Sequence, residues 1–233
     1  MVEINAIGPE DRRFASDTVL FRHLTTRLYD QLLRHAFVRR FSKGEFVFHI
    51  GETPQFLHIM LDGCVALTGH GAEERTTVIE FLEPGECFVL AAVALGQPYL
   101  LSGCAASDSR LMHIPAEGLR SMTDSNKGFA LATVATLSLQ WPQLVGQITD
   151  LKLKSSAQRL GAYLLMLAKG ATGSEVRLPS ERQFVAARLG MTPESLSRAF
   201  ARLRALGVVG HGQTVSIKDA KRLRGFCDGR ESG

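Results

Sequence analysis

Polar and charged side chains recur on one face of a predicted helix, at Glu194, Ser197, Arg198 and Arg202. Positions three and four apart share a helix face, so these groups point in a common direction. Arg donates two parallel hydrogen bonds to guanine, Glu accepts from the cytosine amino group, and Ser can bond a base or a phosphate. A solvated helix face is the ordinary alternative. Their position in the first turns of the helix favours recognition of double-stranded DNA.

Two short helices joined by a tight turn are predicted to position these side chains. Ser180 is placed to cap the first helix, and Gly190 ends it where a left-handed residue is useful. Thr192 is placed to cap the second helix, with Pro193 in its first turn. We count Ser180 and Thr192 among the candidate DNA-binding residues. The predicted buried positions are Phe184, Val185 and Leu189 in the first helix and Leu196, Phe200 and Leu203 in the second.

A short hairpin is predicted directly after the second helix, over residues 207–217. Gly207, Gly210 and Gly212 punctuate two runs of β-branched residues, which is typical of strand, turn and strand. Two helices followed by such a hairpin indicate a winged helix-turn-helix.

The stretch from Leu178 to Val209 closely resembles the winged helix-turn-helix of the CRP/FNR transcription regulators. The pattern Glu194-x-x-Ser197-Arg198 is similar to the FNR-type recognition helix, which in that family recognises TTGAT half-sites. The CRP-type helix has a second Arg directly before the Glu, where this chain has Pro193. The resemblance implies a homodimer that binds palindromic double-stranded DNA, with RNA polymerase as a further partner.

The charge distribution agrees with this interpretation. The chain has a net charge of +4, but residues 154–233 carry 14 Lys or Arg against 6 Asp or Glu, and the remainder carries 13 against 17. A basic C-terminal third joined to an acidic remainder is the electrostatic pattern of a nucleic-acid domain attached to another domain.

Residues 37–114 have a different texture, with short apolar runs separated by glycines. This predicts repeated short strands in a barrel or jelly roll. The segment KGEFVFHIGETPQFLHIMLDGCVAL also resembles the first half of a cyclic-nucleotide-binding β-roll. We therefore predict an α+β fold: a β-roll sensor domain over 1–124, a dimerisation helix and hinge over 125–153, and the winged helix-turn-helix over 154–233. Residues 1–20 show no clear period and are expected to form a loose arm.

The expected ligand cassette of this roll, residues 85–102, departs from the cyclic-AMP-binding pattern that the resemblance supplies. No Arg lies between Arg75 and Arg110, so the cassette has no counter-charge for a cyclic phosphate. We therefore predict a sensor that does not bind cyclic AMP. The candidate residues for an apolar sensor pocket are Phe88, Leu90, Leu95 and Leu101.

Other signals remain open at the level of sequence. An iron–sulfur cluster needs clustered thiolates, and no Cys precedes Cys64, so we expect none. A haem that senses nitric oxide or carbon monoxide would need an axial ligand, and a regulator without any ligand is at least as consistent with the sequence. No metal ligand can be assigned. The histidines available in the sensor half are His23, His35, His49, His58, His70 and His113.

Residues 125–153 carry an apolar heptad pattern, which predicts a dimerisation helix. An amphipathic helix packed on its own barrel is the alternative. Pro142 interrupts the pattern and is expected to kink the helix. The predicted dimer residues are Val134, Trp141 and Ile148 at one heptad position and Leu137, Leu144 and Leu151 at the other.

Several classes of protein are disfavoured. No apolar run is long enough to span a bilayer, no signal peptide is recognisable, and the four cysteines form no C-x-x-C pair, so a cytoplasmic protein with reduced thiols is expected. No nucleophile–base motif, P-loop or metal-spaced His/Cys set points to an enzyme. The alternative to a DNA-binding regulator is a small-molecule-binding signalling module whose C-terminal domain binds a protein.

Overall fold

The computed structural model describes residues 4–22, 24–70, 76–169, 175–178 and 182–229. Contacts divide the chain into two compact units, residues 1–142 and 143–233. The first unit contains the roll, and the second contains the helix-turn-helix. The dividing point falls at Pro142, inside a helix that begins in the first unit and ends in the second.

The first unit is built on two antiparallel sheets. Its strands are β1 (Ile4–Asn5), β2 (Phe37–Phe41), β3 (Phe46–Phe48), β4 (Phe56–Asp62), β5 (Val65–His70), β6 (Thr76–Leu82), β7 (Cys87–Phe88), β8 (Ser102–Ala105) and β9 (Ser109–Pro115). One sheet has the order β1-β2-β9-β4-β7, and the other has the order β3-β8-β5-β6. Short strands rich in aromatic and branched residues, joined by glycine turns, form the predicted roll. The predicted fold class is therefore confirmed.

Two apolar clusters lie on the two faces of the first sheet. Leu57 and Ile59 of β4 pack with the helices, whereas Met60 packs with residues of the second sheet in the space between the sheets. Successive side chains of a strand point to opposite faces, so a central strand covered on both faces is buried along its length. The helices of this unit are α1 (Pro9–Ser16), α2 (Thr26–Leu32), α3 (Leu90–Leu95), α4 (Ala116–Ser125) and the first part of α5 (Lys127–Leu153).

The expectation of a loose N-terminal arm is wrong. Helix α1 occupies residues 9–16, and Ala15, Leu20 and Phe21 are buried in the core on the helix side of the first sheet. Asp11 of α1 also accepts a hydrogen bond from Arg110 of β9 at 2.9 Å. An eight-residue, mostly polar helix is too short to show a helical period, and its contacts are made by single residues with distant strands.

The second unit surrounds a separate apolar core. Its elements after α5 are α6 (Ser156–Ala168), β10 (Glu175–Arg177), α7 (Arg182–Arg188), α8 (Pro193–Arg204), β11 (Val208–His211), β12 (Thr214–Ile217) and α9 (Ala220–Cys227). Ser155 begins α6 with a reciprocal capping box to Gln158. The three strands form one sheet in the order β10-β12-β11. Residues from α6, α7, α8, α9 and the sheet together bury Leu160, Val185 and Leu203.

Candidate nucleic-acid interface

The turn between α7 and α8 adopts the predicted geometry. Gly190 has a φ of 61°, in the left-handed region that non-glycine residues rarely occupy. Thr192 begins α8 as its N-cap, with its hydroxyl accepting from the Ser195 N–H at 3.2 Å. These local features make α8 start at a fixed point, which sets the direction of its first-turn side chains. Ser180 lies outside the described residues.

Helix α8 has one buried and one exposed face. Leu196, Phe200 and Leu203 are buried in the core of the second unit, as the sequence predicts. Val185 and Leu189 of α7 are buried beside them, whereas the Phe184 side chain lies outside what the structure describes. The opposite face of α8 is solvent-accessible and carries the candidate base-contacting residues Glu194, Ser197, Arg198 and Arg202.

Two charged side chains on this face are held close to each other in the first turns. The Arg198 guanidinium donates to the Ser195 hydroxyl at 3.1 Å. The pKa of Glu194 lies below its ordinary value because of a hydrogen bond to its own backbone, the Thr192 hydroxyl and the charge of Arg198. Glu194 therefore remains an ionised acceptor at neutral pH and Arg198 a donor, as base recognition requires.

Arg202 differs from the other three residues. Its guanidinium carbon lies 5.5 Å from the centre of the Phe226 ring of α9, a cation–π distance. The side chain is exposed but is directed along the protein surface toward α9. The structure thus groups Glu194, Ser197 and Arg198, and gives Arg202 a structural contact in addition to its predicted role.

The wing forms where the sequence predicts it. Strands β11 and β12 pair in register from Val208 with Ile217 to His211 with Thr214. The Arg182 Nε at the start of α7 donates to the Gly212 carbonyl in the wing turn at 3.1 Å, and its guanidinium lies over the Phe200 ring at 4.6 Å. Arg182 therefore ties α7 and α8 to the wing.

Arg159 is a positioning residue that the sequence interpretation missed. From α6, its guanidinium donates to the carbonyls of Leu189 at 2.9 Å and Gly190 at 3.3 Å, and to the Lys154 carbonyl at 2.9 Å. Carbonyls at the end of a helix have no partner within it, and Arg159 satisfies those that end α7. The same side chain thereby joins the end of α5 to the turn before α8.

The predicted dimer residues lie mostly on an open face of α5. Val134, Trp141, Leu144, Ile148 and Leu151 are exposed large apolar side chains. Leu137 instead packs partly into the core of the roll, on the side of the helix where Phe129 is buried. Leu151 also contacts the helix-turn-helix: a Cβ at Gly190 would come within 2.6 Å of its methyl group. Helix α5 thus packs on its own roll with one face and leaves another apolar face uncovered in the single chain.

The four predicted sensor-pocket residues do not meet in one place. Phe88 packs between the sheets, Leu90 packs on the helix side, Leu95 is 72% exposed, and Leu101 is half-buried beside Gly69. A cavity of about 220 Å³ lies elsewhere in the roll, next to His58 and His113. Of the other candidate haem ligands, His35 and His49 are exposed, and the side chains of His23 and His70 lie outside the described part of the chain.

Clustered metal ligands and membrane-spanning helices are absent from the described residues. These residues contain no group of three or more His, Cys, Asp or Glu placed to hold a metal ion. None of the helices in the described ranges combines the length and apolar character needed to cross a bilayer. Burial raises the pKa of Cys87 to about 12. Burial is also the largest cause that raises the pKa of Cys227 to about 11, so both residues remain thiols at neutral pH.

A β-roll joined through a long helix to a winged helix-turn-helix defines a class of DNA-binding transcription regulators. Residues 38–126 match the cyclic nucleotide-binding domain family, and residues 158–226 match the Crp-like helix-turn-helix domain family. The chain belongs to the CRP/FNR family of transcription regulators. Helix-turn-helix regulators of this family bind DNA and act as dimers.

Similar proteins extend over most of the chain. The nitrogen fixation regulation protein FixK of Azorhizobium caulinodans is 26% identical over 192 residues, which cover 79% of this chain and 76% of that protein. A putative cyclic nucleotide binding protein from Ruegeria pomeroyi has a structure that is 34% identical, with a TM-score of 0.65, covering 93% of this chain and 96% of that one. The DNR structure from Pseudomonas aeruginosa is 29% identical, with a TM-score of 0.52, covering 94% and 99%.

Proposed function

We propose that this regulator binds palindromic DNA with TTGAT-like half-sites, as a homodimer that places one copy of α8 in the major groove of each half-site. The observation that carries the proposal is the exposed first-turn group of Glu194, Ser197 and Arg198 on a helix whose start is fixed by Thr192. A TTGAT half-site contains a single G·C pair. Arg198 is suited to its guanine and Glu194 to its cytosine, since these are the base edges that the two side chains recognise.

Fluorescence anisotropy on a TTGAT-NNNN-ATCAA duplex and on a scrambled duplex tests this assignment. Arg198→Ala is expected to weaken specific binding by about 1–3 kcal/mol, and Glu194→Ala to loosen the preference for the G·C pair. Arg204→Ala removes an exposed charge from the last turn of the same helix and is the matched control. It should weaken both duplexes equally through phosphate contacts alone.

The opposite pattern would count against base recognition. If Arg198→Ala weakened the specific and scrambled duplexes by the same factor, Arg198 would contact only the backbone. If the TTGAT duplex bound no better than the scrambled one, the half-site assignment itself would be wrong. Binding of a protein by the C-terminal unit, with no DNA affinity, would favour the signalling-module alternative.

The exposed face of α5 supports the homodimer. Apolar side chains at heptad positions favour packing against an identical helix, and a symmetric dimer matches a palindromic site. Ile148→Glu places a charge within the predicted seam, whereas Leu139→Glu places it on the outer side of the same helix. Both native side chains are similarly exposed, at 55% and 58%. Sedimentation equilibrium should show a monomer for Ile148→Glu and a dimer for Leu139→Glu. If both variants were dimers, this face of α5 would be excluded as the dimer interface.

The sensor in this proposal does not use cyclic AMP. Helix α3 of the cassette has the sequence LAAVAL and offers no cation for a phosphate. The cavity beside His58 and His113 would not enclose a porphyrin either, since its volume is about 220 Å³ and a cavity of about 150 Å³ accommodates only benzene. Isothermal titration calorimetry should therefore detect no cyclic AMP binding. Strong binding, lost when α3 is altered, would contradict this part.

Pro142 is part of the proposal as a lever between the two units. It interrupts the backbone hydrogen bonding of α5 and lies where the units divide. Pro142→Ala is expected to change DNA affinity, because it restores a backbone N–H donor inside the helix that leads to the helix-turn-helix. The lever hypothesis fails if DNA affinity and in vitro transcription by RNA polymerase are both unchanged.

A further inference from the structure

Two histidines lie side by side in the roll, on the face of the first sheet that looks toward the second. His58 of β4 and His113 of β9 are direct partners in the antiparallel register. Their side chains are almost inaccessible, with 2% and 4% of the residue surface exposed. The ring centres lie 4.7 Å apart with the planes perpendicular at 88°. Both residues lie in the first unit, whereas the helix-turn-helix lies in the second.

Both imidazoles lack hydrogen-bond partners among the residues that the structure describes. This holds for all four ring nitrogens, and for the buried Nε of Arg39 beside them. Buried polar groups in proteins are nearly always satisfied, and an exception calls for a ligand, an ion or water. A neutral imidazole offers one donor and one acceptor, so the pair presents both kinds of group.

Aromatic rings hold these imidazoles in place and bound the adjacent cavity. Phe37 stacks on His113 with parallel planes and a centre distance of 5.0 Å, and Phe48 stacks on His58 at 5.5 Å and 12°. Phe37, Phe48, Phe56 and Tyr99 supply ring walls to the cavity of about 220 Å³. A cavity of about 150 Å³ accommodates benzene, so this one has room for a single substituted ring.

The two charged side chains that line the cavity, Arg39 and Glu52, each have a hydrogen-bond partner. Arg39 Nη2 donates to the Glu45 carboxylate at 2.6 Å, and Glu52 accepts from the His49 backbone N–H at 2.9 Å. Burial lowers the pKa of His58 well below its usual range and that of His113 to about 3, with His113 and Arg39 respectively adding to the effect. Burial also raises the pKa of Tyr99 to about 12. At neutral pH both imidazoles and the Tyr99 hydroxyl are therefore uncharged, and Arg39 and Glu52 are the charged side chains that line the cavity.

This arrangement favours a neutral ligand over an ion. An anion would find the one cation, Arg39, already paired with Glu45. A metal ion would find only two imidazoles, because no third His, Cys, Asp or Glu completes a group in the described ranges. An uncharged ring with a hydroxyl matches both the ring walls and the unused donor and acceptor.

We propose that the cavity beside His58 and His113 binds a small, uncharged, single-ring phenolic compound, whose hydroxyl donates to one imidazole and accepts from the other. The aromatic ring of the ligand packs against Phe48 and Phe56. The proposal goes beyond DNA recognition and does not depend on it, since binding is measured without DNA.

Isothermal titration calorimetry of the full-length protein with phenol tests the site. Phenol is expected to bind with a Kd of about 1 mM or lower. His113→Phe should weaken binding at least tenfold, because Phe keeps the stacking on Phe37 but removes the hydrogen-bonding nitrogens. His49→Phe is the matched control at an exposed histidine and should bind phenol like the unmodified chain. No heat with phenol, or equal affinity in His113→Phe, would overturn the proposal.

Two further measurements keep the test independent of variant folding and of ligand class. In NMR spectra of the unmodified protein, phenol should shift the imidazole resonances of His58 and His113, and leave those of His35 and His49 unchanged. Shifts confined to His35 and His49 would place binding elsewhere. Benzoate and zinc chloride are the competing classes, and tighter binding of either one than of phenol would overturn the neutral-ligand assignment.

Discussion

Helices α6 and α9 approach each other closely at Gly161, so the effect of Gly161→Ala on stability should change sign when Cys227 is replaced. A Cβ at Gly161 of α6 would lie 2.6 Å from the Cys227 Sγ and 3.1 Å from a Leu223 methyl group. Replacing a helical Gly by Ala ordinarily stabilises by about 1 kcal/mol. Overpacking a filled core costs about 1–3 kcal/mol. Gly161→Ala is therefore expected to destabilise the second unit by roughly 1 kcal/mol.

Removing the sulfur should reverse the effect. In a Cys227→Ala background the 2.6 Å contact is absent, and the flexible end of Leu223 can move by a few tenths of an ångström. Gly161→Ala should then stabilise by about 1 kcal/mol, which corresponds to a coupling of about 2 kcal/mol between the two sites. Gly146→Ala is the matched control. It lies in α5 with no neighbouring atom within 4 Å of its Cβ, and should stabilise by about 1 kcal/mol in both backgrounds.

Hydrogen exchange of the α6 amides is the appropriate assay, because a chain of two units need not unfold in a single two-state step. The free energy of opening measured at α6 isolates the second unit from the roll. If Gly161→Ala stabilised the unmodified chain as much as Gly146→Ala, the close approach would not exist. Additive effects in the double variant would refute the assignment of the clash to Cys227.

Three further predictions concern the roll and the link to the helix-turn-helix. His58 and His113 stay neutral in the folded protein, because burial lowers both pKa values, but they protonate below about pH 6.5 in the unfolded chain. The free energy of unfolding should therefore fall as the pH drops below 6, by up to about 1.4 kcal/mol per pH unit for each histidine. Denaturation at several pH values measures this, and a flat profile would contradict the burial. Val89, the N-cap of α3, has a φ of 57°, in the left-handed region that glycine tolerates best. Val89→Gly should therefore be more stable than Val89→Ala by about 1 kcal/mol, although alanine is ordinarily the more stabilising of the two residues. A higher melting temperature for Val89→Ala would show that the strain is absent. Arg159→Gln should lower protection of the amides in the turn before α8 by on the order of 2 kcal/mol, since it removes a cation that bonds three carbonyls; unchanged exchange would exclude the positioning role.

Features specified by neighbouring residues could be predicted from the sequence. The Thr192 cap, the left-handed Gly190 and the buried face of α8 each depend on a few adjacent positions. The hairpin of β11 and β12 is equally local. Backbone sterics and helical periodicity act at this range, so the pattern of residue types carries the information.

Features that depend on distant partners could not be predicted. His58 and His113 meet because β4 and β9 pair in one register, and a shift of one residue would turn each side chain to the other face. Arg159 bonds backbone carbonyls, which leave no mark in the identity of the residues that carry them. Apolar character predicts Leu95 and Leu101 as sensor residues, but it does not determine whether a side chain faces a cavity or solvent.

Leu151 and Arg159 connect the proposed dimer helix to the proposed base-contacting helix. Leu151 packs on Gly190, and Arg159 bonds both the Lys154 carbonyl after α5 and the carbonyls before α8. Any rotation of the last turn of α5 therefore acts on the turn that fixes the start of α8. Leu151 also belongs to the predicted dimer seam, so the proposed dimer would link its own geometry to the direction of Glu194 and Arg198. A signal that changes the pairing of two α5 helices would consequently change DNA affinity without contact at the DNA-binding face.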